Sequence, residues 1–121
     1  MDIETALKEA MRVDGAVGVS LVDGESGMML GSAGGGRDLD LEVASAGSTE
    51  IVRSKRRTLD AQGVQEGIED ILITLDRQYH LIRLLQRADS PLFLYLVLER
   101  SRANLAFARH SLRLIARALD L

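Results

Sequence analysis

The chain has 121 residues, 46% hydrophobic and 27% charged, with one proline and no cysteine. That size suits a single domain spanning 1–121, and the composition excludes disorder, disulfides, thiolate catalysis and cysteine-ligated zinc. A net charge of −3 gives no broad attraction to nucleic-acid phosphates or anionic lipid, and no apolar run approaches the roughly 20 residues that span a bilayer.

Asp2, Glu4 and Glu9 stand where an export signal needs basic residues, so a cytoplasmic location is expected. Ile3, Ala6, Leu7, Ala10 and Met11 share one face of a first helix, with Asp2 as its N-cap and Gly15 as its stop. From Ala16 to Val22, Val17, Val19 and Leu21 alternate with Gly18 and Ser20 as in a half-buried strand. Turn residues Asp23 to Gly27 lead into a second apolar stretch, Met28 to Ser32, so the first two strands form a hairpin.

Gly31 to Gly36 reads as a glycine-rich break, after which Asp38 caps a second helix at about 39 to 60. Its first half is rich in small residues, Ala44 to Ser48, which permit close approach of another backbone. Ile68 to Leu75, Gln78 to Leu85 and Pro91 to Glu99 are strand-like runs joined by an Asp76, Arg77 turn and a loop ending at Ser90, Pro91. Ser101 is the expected N-cap of a last helix carrying Leu105, Ala108, Leu112, Ile115, Ala116 and Leu119. The order α-β-β-α-β-β-β-α predicts an α+β fold, one antiparallel sheet flanked by helices.

This order, with Asn104 to Arg109 in the last helix, Gly15 to Val19 in the first strand and the Tyr79 to Leu85 strand, resembles the roadblock/dynein light chain family. The resemblance implies a five-stranded sheet ordered 2-1-5-4-3. It further implies homodimers joined through third strands and second helices, and partners among small Ras-like GTPases or motor complexes.

The residues supply their own argument for a dimer. Ile68, Ile71, Leu72, Ile73 and Leu75 are apolar on both faces of a strand expected at a sheet edge, with no mid-strand Lys or Pro to blunt it. Ala44, Ser48 and Ile51 of the second helix complete the expected dimer interface. Arg53, Lys55, Arg56 and Arg57 are explained by the negative end of that helix, and their density also makes them the candidate contact for an acidic protein partner.

Candidate chemistry is thin. Gly31 to Asp38 has phosphate-loop spacing but carries Arg37 and Asp38 where Lys and Ser or Thr are needed, so a loop is the better reading. His80 and His110 lack companions at ligand spacing, no G-x-S-x-G elbow occurs, and no catalytic residue, metal or cofactor is nominated. Phe93 and Tyr95 read as sheet core, and Asn104 and Arg109 as structural polar groups. A non-catalytic, protein-binding homodimer is expected. The rival is a PAS-like small-ligand sensor, against which the long uninterrupted second helix argues.

Overall fold

Asp2 accepts a hydrogen bond from the Thr5 N–H at 2.8 Å and starts α1, Ile3–Met11, which buries Ala6, Leu7 and Ala10. A computed structural model, describing residues 1–87 and 90–121, then gives β1 (Ala16–Asp23), β2 (Met29–Gly34), α2 (Leu41–Ala61) and β3 (Asp70–Thr74). β4 (Gln78–Leu84), β5 (Leu92–Glu99) and α3 (Leu105–Ala118) complete the order. Ala88 and Asp89, in the loop expected before Pro91, lie outside the described residues.

The strands form one antiparallel sheet in the order β2-β1-β5-β4-β3, so fold class, element order and strand order are as expected. β5 is central, and Phe93 to Leu98 are all buried because helices lie on both faces of the sheet. Strand alternation divides the core in two. Leu94, Leu96 and Leu98 join Val19, Leu21 and Leu81 beneath α1 and α3. Phe93, Tyr95 and Val97 join Val22, Ile82 and Leu84 on the α2 side, where Leu41, Ala44 and Val52 pack.

Several boundaries differ from expectation for identifiable reasons. Gly31 to Gly34 continues β2, so the expected glycine-rich break is strand. A Cβ at Gly31 would lie 2.9 Å from a Leu7 methyl, so glycine lets α1 press onto this strand. The turn therefore moves to Arg37 and Asp38, closed by a bridge between Gly36 and Leu39, and Asp40, not Asp38, caps α2. Its Oδ1 accepts from the Glu42 and Val43 N–H groups at 3.0 and 3.2 Å. Likewise Asn104, not Ser101, caps α3 by accepting from the Phe107 N–H at 3.0 Å, while the Ser101 hydroxyl donates to Glu99. The expected strand from Ile68 to Leu75 shortens to β3, since Leu75 already belongs to the turn, donating to the Gln78 carbonyl at 2.8 Å.

Candidate protein-interaction surface

β3 has a strand neighbour on one side only. Ile71 lies opposite Ile82 and Ile73 opposite His80, while the bonds from Leu75 N–H to Gln78 and from Leu84 N–H to Glu69 set the phase of the ladder. Residues 69, 71, 73 and 75 turn their backbone groups toward β4, so Asp70, Leu72 and Thr74 turn theirs outward. Ile71 and Ile73 face the α2 side, and Leu72 faces the α3 side. Leu72 is 37% and Leu75 41% exposed, while Ile68, Ile71 and Ile73 are partly buried. The pairing runs without a bulge, and the strand holds neither Lys nor Pro. The structure thus places Ile71, Leu72 and Ile73 on the open edge strand, with Ile68 just before it and Leu75 in the turn after it.

α2 separates its three candidates. Ile51 faces outward at 39% exposure, but Ala44 packs into the core and Ser48 is buried, its hydroxyl donating to the Ala44 carbonyl at 2.8 Å. Small hydroxyl residues line the inner face because it lies against β1: the Ser45 and Ser20 hydroxyls share a buried hydrogen bond of 2.8 Å, and Thr49 donates to the Ser45 carbonyl. The outward stripe is instead Val43, Gly47 and Ile51, at i, i+4 and i+8. Val43 is 69% exposed, and a Cβ on Gly47 would meet nothing, so the protomer itself does not need glycine there. Val43 and Gly47 were not among the sequence candidates. The repeat Ser45, Ser48, Thr49 marks the inner face only once the helix start at Asp40 is known.

Beyond Ile51 the helix turns cationic. Arg53, Arg56 and Arg57 line a groove of about 570 Å³ with Val52, Ile68, Leu84 and Pro91, and Arg87 lines it as well. Lys55 is exposed but outside the groove. Arg53 is occupied: it donates to the Gly24 carbonyl at 3.2 Å and to the Glu25 carbonyl, and pairs with Glu50 at 3.3 Å, tying the β1–β2 turn to α2. Arg87 is occupied too, donating to the Ala116 carbonyl at 3.0 Å and to that of Leu119 at the negative end of α3. Arg56 and Arg57 make no ion pair among the described residues and stay exposed. The expectation that the cluster offsets the end of α2 is corrected, because the helix runs on to Ala61 with no basic residue in its last turn.

The remaining polar candidates have structural partners. Arg109 forks onto Asp70 through Nε and Nη2 at 2.8 and 3.0 Å, which raises the guanidinium's pKa and pins β3 to α3. His80 bonds Gln78 at 2.9 Å and the Tyr95 hydroxyl at 3.2 Å, its ring meeting that of Tyr95 edge-on. Burial pushes the His80 pKa down and the Tyr95 pKa up. Phe93 and Tyr95 lie in the core, as expected. Among the described residues, no helix is long and apolar enough to cross a membrane.

No protein-family model matches the chain. No curated protein matches it in sequence either. Solved structures do match it in shape. The roadblock/LC7 domain from Streptomyces avermitilis superposes with a TM-score of 0.81 at 13% identity, over 98% of this chain and 94% of that one. A structure titled MglB with tetrameric arrangement gives 0.80 at 16% identity, over 95% and 82%. The gliding protein MglB from Thermus thermophilus gives 0.71 at 17% identity, over 94% and 87%.

Proposed function

We propose that this chain, which has the roadblock fold, acts as one non-catalytic cytoplasmic domain that pairs with a second copy and presents the joined surface to a protein partner. The observation that carries the reading is the open edge of β3, where the backbone groups of Asp70, Leu72 and Thr74 face outward on a regular apolar strand. Antiparallel addition of a second β3 would satisfy those groups and continue the sheet across both copies. The Val43, Gly47 and Ile51 stripe supplies a second contact, since glycine permits close approach of two helix backbones. A tetrameric arrangement of a structural neighbour supports self-association of this fold.

The resemblance to the roadblock family favours a small Ras-like GTPase as partner, and Arg56 and Arg57, which make no ion pair among the described residues, offer cations to an acidic surface on it. Two measurements test the reading in order. Light scattering across a concentration series should return the mass of a dimer, with the Leu72 amide protected from hydrogen exchange. A monomer at high concentration with that amide unprotected would refute pairing. A pull-down with GDP-loaded and GTP-loaded candidate GTPases then tests the partner. The variant carrying Arg56→Glu and Arg57→Glu should lose capture about tenfold at low salt while folding normally.

A further inference from the structure

We propose that a small polar pocket between β3, β4 and α3 binds a phosphate-type oxyanion through Arg83 and Arg113, a site that shares no lining residue with the basic groove. The argument starts from Arg83, which lies on β4 and is only 6% exposed. Its cross-strand partner is Asp70, but Arg109 engages both oxygens of that carboxylate. The other nearby carboxylate, Glu69, lies 3.9 Å from Nη1, beyond hydrogen-bond range. Arg83 Nε is buried and finds no acceptor among the described residues, and a buried donor left without an acceptor is costly.

A second cation meets the same pocket. Arg113 lies one helical turn beyond Arg109 on α3, and its Nε is also buried without an acceptor among the described residues. Among the described residues its Nη2 lies 3.2 Å from the His110 Nδ1. Arg83, Arg109 and Arg113 all line a space of about 240 Å³ together with Glu69 and Asp70. Three guanidinium groups against two carboxylates leave one positive charge in excess, and the Asp70 carboxylate is already held by Arg109.

The arrangement selects the chemistry of its ligand. Guanidinium forks on two different elements match an anion that presents several oxygens in different directions, as a phosphoryl group does and a carboxylate does not. A space of about 240 Å³ accommodates a phosphoryl group or a comparably small oxyanion. Inorganic phosphate and the phosphoryl group of a phosphorylated side chain share this chemistry. Of the two lining carboxylates, Asp70 is held by Arg109, and the charge of Glu69 opposes the anion more directly.

Nuclear magnetic resonance of the arginine Nε–H groups in the full chain tests the site. Sodium phosphate is exchanged for sodium chloride at constant pH and ionic strength. Saturable shifts are expected at Arg83 and Arg113, weakened about tenfold or more by Arg113→Gln and strengthened by Glu69→Gln. The pair Arg56→Gln and Arg57→Gln should leave the titration unchanged. A parallel titration with O-phosphoserine separates the sources: tighter binding than inorganic phosphate assigns the site to a phosphorylated segment, and weaker binding assigns it to the free ion. If neither probe gives saturable shifts, or if the Arg56 and Arg57 substitutions remove them while Arg113→Gln does not, the proposal is overturned. Because Arg113→Gln is a change on the α3 surface, the test does not depend on a buried Arg83 variant folding.

Discussion

The sheet has two edges, β2 and β3, and they are finished differently. β2 pairs with β1 through a shifted register, Leu21 opposite Gly31 but Val22 opposite Met29, so Leu30 is an extra residue that bends the strand. Glycine at positions 31 and 34 leaves that edge with few side chains to pack across a junction. β3 has the opposite character, with an unbroken register and the sequence Asp-Ile-Leu-Ile-Thr. The two borders of one sheet thus differ in what they would offer an added strand through the choice of a few residues. Exposure alone does not distinguish the edges: Leu30 is more exposed than Leu72, yet Leu30 sits at a break in register and Leu72 on a strand of unbroken register.

Substitutions can break this contrast. Leu72→Pro deletes an outward N–H without touching the β4 ladder, so it should weaken the dimer about a hundredfold or more while the protomer stays folded. Leu30→Pro, at the bulge of the other edge, should leave the dimer intact. Analytical ultracentrifugation of both proteins measures the difference, and equal effects would remove the distinction between the edges. Next in size, Val43→Lys with Ile51→Lys should weaken association about tenfold by placing charge in the helix stripe, with thermal unfolding of the protomer nearly unchanged.

The contrast also extends to how each border is anchored. Asp70→Asn breaks the fork to Arg109, and because Arg109 is half exposed the cost should be only about 1 kcal/mol. Hydrogen exchange should then rise at β3 and stay constant at β2. The smallest effect concerns His80, opposite Ile73 of β3. Burial lowers its pKa, so as pH falls below the ordinary histidine value the unfolded chain takes up a proton before the folded one does, and stability declines. Above that value its contribution is fully present. The His80→Gln protein should show a flatter stability profile in this window by chemical denaturation.

Much of the fold was legible because apolar periodicity carries it. The first helix with its Asp2 cap, the hairpin, the meander and the apolar run of β3 all follow from local spacing. The candidate site was legible only in part. The edge residues could be named from strand pattern and position, whereas Ala44 and Ser48 were assigned to an interface although they face the core. Helical phase is hard to read when Ser45, Ser48 and Thr49 share the inner face with Leu41, Ala44 and Val52 while the outer face carries Val43 and Ile51, since polarity then no longer separates the two faces.

By itself, then, the sequence determined which segments are helix and strand, because capping, turn chemistry and apolar spacing act over a few residues. It also determined that β3 is unblocked, since neither Lys nor Pro interrupts it. Only the tertiary structure decided which face of α2 is outside, that Arg53 and Arg87 are held by backbone carbonyls, and that the Nε groups of Arg83 and Arg113 are buried without acceptors among the described residues. Those facts depend on contacts between residues far apart in the chain. Which hydrogen-bond acceptor a guanidinium finds across such a distance is set by how the layers pack and by no local pattern in the chain.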